Sequence, residues 1–231
     1  GVFLSYSVCT NNFPGVMKGI IDKYAQLHSE HEENCNETAH WYAVDTCASL
    51  LSTAAWQSGH PALCKIPCKK KTKSIENNQS QLSKGIIDIL VHISNETELW
   101  IEAKKPNDCF DVSENSENPA SQAKISRCFW SAYESSFQKK LETRNKDCKT
   151  ISIVFCSFSL RPEYYQGADA LPRRQARAQH VNLVLNKVIL EDPKSSFCAS
   201  YFDVTEKTIS DELDNRPFGF AVLGHFGDVQ L

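Results

Sequence analysis

Three charged side chains interrupt segments that are otherwise apolar and β-branched: Asp88 within Gly85–Ile93, and Glu102 and Lys104 within Glu98–Lys104. On a strand successive side chains alternate faces, so Glu102 and Lys104 share one face while Leu99, Ile101 and Ala103 take the other. Asp88 falls on the face of Ile86, Leu90 and His92. If the two strands pair with Asp88 directly opposite Glu102 or Lys104, all three charges meet on one face, whereas a one-residue slip separates them. Directly opposed Cβ atoms lie about 5 Å apart. Two carboxylates at that spacing repel, and a hard divalent cation such as Mg²⁺ relieves the repulsion by binding between them. Charges buried in such strands without a partner would be costly, so the sequence asks for a cation site or an ion pair. A simpler pairing of either acid with Lys104 at a sheet rim also satisfies that demand. The tripeptide Glu-x-Lys by itself says little, because average composition produces it about once in a chain of this size; the strand context adds the rest.

The elements that must position these groups follow from periodicity. Val16, Ile20, Tyr24 and Leu27 recur at helical spacing from Pro14 to about Glu32, and a proline suits a first turn. A second helix is expected from near Asn36 to Trp56, with Trp41, Val44, Ala48, Leu51 and Ala55 as its apolar stripe and Gly59 and Pro61 ending it. The polar, lysine-rich stretch from there to Ser83 reads as a long loop. The two charged strands come next, joined by a turn at Ser94–Thr97 and stopped by Pro106. A loop from Asn107 to Asn118, a long helix from about Pro119 to Arg144 and a buried strand at Thr150–Leu160 are expected after them. The remainder reads as a short basic helix from Ala168 to about His180 and strands at Val181–Leu190, Phe197–Val204 and Phe218–Phe226. This order predicts one domain, residues 1–231, of α/β (α+β) class, with a mixed central β-sheet flanked by helices.

Composition agrees with a folded, water-facing chain: 41% of residues are hydrophobic and 23% charged, near globular averages. No apolar run reaches the roughly 18 residues of a bilayer-spanning helix, so no membrane partner is expected, and Gly1–Tyr6 carries no secretory pattern. Of the ten cysteines, Cys47, Cys128 and Cys156 fall within apolar patterns, as small buried hydrophobes do. They read as reduced thiols of an intracellular protein, in the cytoplasm or nucleus. The net charge of −3 gives no global pull on a polyanion, so any such site must come from local clusters. Lys65, Lys69, Lys70, Lys71 and Lys73 form one cluster, and Arg173, Arg174 and Arg177 another; both are equally readable as solvated surface. His60, Cys64 and Cys68, with Cys35, lie at zinc-like spacings but do not make a recognisable finger. Nucleophilic catalysis by a cysteine with His40 or His180 would need a proximity that spacing does not supply.

Ile87-Asp88, thirteen intervening residues, then Glu102-Ala103-Lys104 resembles the PD-(D/E)xK nuclease superfamily, the restriction-endonuclease-like proteins. The resemblance covers about residues 36–160, with 161–231 as a C-terminal elaboration that carries no motif. Ile87 stands where the superfamily's eponymous proline would be. The resemblance implies a restriction-endonuclease-like core and a Mg²⁺ (or Mn²⁺) ion held by Asp88, Glu102 and the backbone carbonyl of Ala103. Lys104 would orient the attacking water or offset charge on the phosphate. It further implies a helix acid, for which Glu37 is the candidate and Glu33 and Asp45 the alternatives, and a helix glutamine, for which Gln122 is the candidate. Glu37 is equally a favourable charge at a helix start, and Gln122 an ordinary surface residue. The implied activity is that of an endonuclease, a hydrolase of phosphodiester bonds in nucleic acid, DNA before RNA, possessed by a toxin or effector delivered to a host cell. Lys105, Lys69, Lys70, Lys71, Arg173, Arg174 and Arg177 would hold backbone phosphates. The rival reading is a nuclease-like module without catalysis that binds nucleic acid or a host protein.

Overall fold

The computed structural model describes residues 2–8, 15–35, 43–73, 80–106, 109–113, 147–189, 196–203 and 216–226, with isolated positions between 123 and 131. In chain order these form β1 (Val2–Val8), α1 (Gly15–Cys35), α2 (Val44–Gln57), β2 (Ala62–Lys73), β3 (Ser80–His92), β4 (Thr97–Lys104), β5 (Phe110–Asp111) and β6 (Asp147–Leu160). A 3₁₀ turn (Pro162–Tyr165), α3 (Ala170–Ile189), β7 (Ser196–Asp203) and β8 (Arg216–Phe226) complete them. One mixed sheet runs β1-β7-β8-β6-β4-β3-β2, with the short β5 also beside β6. β4 and β5 lie parallel to β6, and the other neighbours are antiparallel. The class is therefore mixed α and β, with helices on both faces.

β6 explains why the sheet is covered twice. Every residue from Ile151 to Leu160 is buried, which a strand achieves only when both its faces are roofed. Ile151, Ile153 and Phe155 pack with Met17, Ile20 and Tyr24 of α1 and with Ala48, Leu51 and Ala55 of α2. Val154, Cys156 and Phe158 pack on the other face with Ala178, Val181, Leu185 and Val188 of α3, and Trp130 joins that cluster. Of the expected stripes, Ile20, Tyr24, Ala48, Leu51 and Ala55 are buried and Val16, Leu27 and Val44 partly so, while Trp41 lies outside the described residues. No helix among the described residues is long and apolar enough to cross a membrane. Among the described residues no disulfide joins Cys47, Cys64, Cys68, Cys109, Cys148, Cys156 and Cys198 to one another.

Two expectations are corrected. The lysine-rich stretch expected to be a loop forms β2 and the start of β3, paired from Ala62↔Val91 to Lys73↔Ser80. β2 ends the sheet order, and an edge strand tolerates lysines and Pro67 because only one of its sides pairs and such residues discourage pairing on the other. The strand expected at Val181–Leu190 is instead the second half of α3. Buried Ala170, Arg174, Ala178, Val181, Leu185 and Val188 follow a helical repeat that began before the β-branched run, and that longer stripe overrides local propensity. β1, which the sequence reading left unassigned, pairs with β7.

β8 pairs with β7 so that Gly224 lies opposite Phe197, at an approach that only glycine permits. A Cβ on Gly224 would overlap the ring of Phe197, a fully buried side chain. Gly224→Ala should therefore lower unfolding stability by about 1–3 kcal/mol through overpacking, read as a lower urea midpoint, and Phe197→Leu in the same chain should recover part of it. An unchanged midpoint would mean that the Phe197 ring does not lie over Gly224.

Candidate functional site

The register between β3 and β4 sets Ile89 opposite Ile101 and Leu90 opposite Trp100. The main-chain pairing ends at Ile89–Ile101, one residue short of Asp88 on β3 and of Glu102 on β4. Main-chain pairing is replaced there by a side chain: the Ala103 N–H donates to Asp88 Oδ2 at 2.9 Å. The Asp88 carboxylate thus fills the fork where β3 and β4 part.

The neighbouring strand is distorted at the same level. Lys65, between Cys64↔Ile89 and Ile66↔Ile87, has φ of 56°, a left-handed conformation that side chains other than glycine rarely adopt. Cys64 and Ile89 pack toward α1 and α2, while Ile66 and Ile87 pack with Leu90 and Trp100. The alternation of both strands is therefore broken at Lys65 and Asp88. As a consequence, Lys65 Nζ reaches Asp88 Oδ1 at 2.9 Å and Asp45 Oδ1, on the first turn of α2, at 2.7 Å. Burial lowers the Lys65 pKa, but hydrogen bonds and charge from Asp45 and Asp88 outweigh it, and the net shift is upward.

Glu102 is 6% exposed, and its Oε1 lies 3.3 Å from Lys104 Nζ. Alternation puts the pair on the face of Glu98 and Trp100. Glu98, at the other end of β4, is only 1% exposed. Its carboxylate faces His92 Nδ1 at 3.3 Å and accepts from Trp100 Nε1 at 3.3 Å. A polar row also continues from Glu102 into the sheet. Ser152 pairs with Glu102, His225 with Ser152, and Ser196 with His225, and all four are buried. The Trp130 ring lies 5.9 Å from that of His225. Sequence reading singled out none of Glu98, Ser152 or His225, although polar residues within apolar strands were a signal it used for Asp88.

Of the remaining candidates, Glu37 and Gln122 lie outside the described residues, as does Glu33's side chain. Asp45, an alternative helix acid, joins Asp88 through Lys65. The backbone of Lys69, Lys70 and Lys71 lies in β2, paired with Lys84, Ser83 and Leu82. Lys105 follows the site directly and lies close enough to Cys47 and Cys109 for its charge to favour their thiolates, although burial dominates and pushes both thiols up, Cys47 to about 11. Cys64 and Cys68, the zinc-spaced pair, pack against different clusters.

The arginine cluster is tied to the fold. Arg174 is 2% exposed and lies over the Tyr165 ring at 4.7 Å. Arg173 Nη2 donates to the carbonyls of Glu163 and Gln166 at 2.8 and 2.6 Å, and Arg177 Nη2 lies 3.5 Å from Tyr164 Oη. Tyr164 Oη in turn donates to the Ser113 carbonyl, so these groups brace the 3₁₀ turn against the strand end at β5. Arg161 adds an ion pair to Asp111 at 3.3 Å. Burial would raise the Asp111 pKa, but hydrogen bonds from Ser113 and the Arg161 charge outweigh it and hold the carboxyl below its usual range.

Among the described residues no three His, Cys, Asp or Glu side chains are gathered closely enough to form a metal site by themselves. Asp88, Glu102 and the Ala103 carbonyl are hard oxygen donors of the kind Mg²⁺ takes, one or two carboxylates with several waters retained, and Asp88 is held by the Lys65 ammonium and the Ala103 N–H. No family model, curated protein or solved structure matches the chain.

Proposed function

We propose that the chain is a metal-dependent phosphodiesterase that cleaves nucleic acid, DNA before RNA, at the fork between β3 and β4. The observation that carries this reading is the adjacency at that fork: Asp88 bonded to the Ala103 N–H, with Glu102 one register step from the Ile89–Ile101 pair and Lys104 beside Glu102. The chain order supports it too. The helix α2, the antiparallel run β2-β3-β4 and a crossover to the parallel strand β6 resemble a restriction-endonuclease-like core, with α3, β7 and β8 as the elaboration.

A bound Mg²⁺ or Mn²⁺ would supply an activated water and offset charge on the phosphate. The protein's own part is to hold that chemistry in place. Asp88 and Glu102 present carboxylate oxygens fixed by a backbone N–H and by Lys104. Lys104, 40% exposed at its side chain, carries a positive charge that a phosphate oxygen can approach from solvent. Lys105 adds charge beside it, whereas Arg174, being buried, can serve phosphate only if α3 moves.

The test is cleavage of supercoiled plasmid and of single-stranded RNA with Mg²⁺, Mn²⁺ or EDTA. Metal-dependent cutting is expected, and Lys104→Ala should slow it by about 10²-fold. A second reading, a binding module without catalysis, is favoured by one observation: Asp88 is already satisfied by Lys65 and the Ala103 N–H. It predicts no cutting under any condition, with nucleic-acid binding unaffected by EDTA.

A further inference from the structure

The Lys65 ammonium sits between two carboxylates of different elements, 2.7 Å from Asp45 on α2 and 2.9 Å from Asp88 on β3. We infer that Lys65 is a tethered counter-ion occupying the cation position of Asp88, and that a divalent ion must displace it to bind. The inference rests on the reading of Asp88 as a metal-holding carboxylate.

Charge balance is the first argument. Asp45 and Asp88 around one ammonium leave a net negative charge, which draws a divalent ion to Asp88 more strongly than the single charge it replaces, once the ion sheds part of its water. The division of labour on Asp88 is the second. Oδ2 is held by the Ala103 N–H and Oδ1 by Lys65, so the cation on Oδ1 can be exchanged without moving β4. The third is the mobility available to the lysine head. Its side chain is 44% exposed, on the strand that ends the sheet order. The ammonium can therefore swing into water without a desolvation cost, while pairing on either side of Lys65 keeps its backbone in place. In the metal-free protein the lysine holds apart two acids that would otherwise repel. With metal present it is released at the mouth of the site. Lys65 thus sets the metal affinity by competition and need not touch the reacting atoms.

The test measures Mn²⁺ binding to the full chain, without substrate, by electron paramagnetic resonance for wild type, Lys65→Met and Asp88→Asn. Lys65→Met should bind Mn²⁺ about tenfold more tightly, the order expected for removing one competing charge at ion-pair distance from partly exposed carboxylates. Because the ion and the ammonium compete for Asp88, Mn²⁺ should free Lys65 and raise its acylation in the wild type, read by peptide mass spectrometry; this arm stands even if Lys65→Met fails to fold. If Mn²⁺ binds wild type and is lost in Asp88→Asn, yet neither Lys65→Met affinity nor Lys65 acylation changes, Lys65 is a structural strap and the inference fails alone. If Mn²⁺ binds none of the folded proteins, the metal-dependent reading fails and takes this inference with it.

Discussion

Glu102→Gln is expected to leave the chain folded and to lower metal-dependent cleavage on the order of 10³-fold. The substitution keeps the shape of the side chain and its capacity to accept a hydrogen bond from Lys104, 3.3 Å away, and removes only the charge. Such a change is severe for a group that must hold a cation and mild for one that merely fills space. The measurement is single-turnover cleavage beside a thermal melt. A useful contrast lies on the same face of the same strand. Glu98, about 13 Å along β4 by strand rise, is more deeply buried than Glu102 and held by His92 and Trp100. Glu98→Gln should cost about 1–2 kcal/mol of stability through a weakened buried hydrogen bond and leave the cleavage rate within a few-fold. Were Glu102→Gln to cleave at the wild-type rate, Glu102 would be the ion-pair partner of Lys104 and nothing more, and the phosphodiesterase reading would fall.

Mild acid is expected to destabilise the fold through His28. This residue sits on the buried face of α1, 4% exposed, with its ring 4.4 Å from that of Phe220. Burial, aided by the charge of His31, pulls its pKa down to about 3. In the unfolded chain the same imidazole takes up a proton near pH 6.5. Below that pH the unfolded state binds a proton that the folded state refuses, so stability falls as pH falls, until the folded histidine itself protonates near pH 3. The slope is about 1.4 kcal/mol per pH unit, which amounts to about 3 kcal/mol by pH 4.5. His28→Phe keeps a ring against Phe220 but cannot titrate, so this component should vanish from urea unfolding curves measured between pH 7 and 4.5. Identical pH dependence in the two proteins would show that His28 can be protonated within the fold.

The pair of strands β3 and β4 and the helices α1 and α2 were legible because their signals are local. β4 was bounded by its turn and by Pro106, and Asp88, Glu102 and Lys104 stood out as charges within apolar alternation. In β2, which brings Lys65 to Asp88, and in α3 the signal was hidden. The lysines of β2 masked a strand because the position that makes them tolerable, the edge of the sheet, is a property of the whole sheet. The β-branched half of α3 imitated a strand because its helical stripe becomes visible only when counted back through Ala178 and Arg174. That same count would have shown Arg174 on the core side of its helix, where a phosphate cannot reach it.

By itself the sequence determined which residue types could do chemistry, which face Glu102 and Lys104 share, and that a mixed α and β sheet must carry them. Period-two and period-3.6 patterns are properties of the chain, fixed by backbone geometry before any packing occurs. Tertiary structure decided what each charge meets. The broken alternation at Lys65 and Asp88, the carboxylate set against the Ala103 N–H, Asp45 joined through Lys65, and the buried row from Glu102 to His225 all depend on register between strands distant in sequence. Register is selected by the burial of whole faces and the fit of neighbouring elements, and no single segment encodes it.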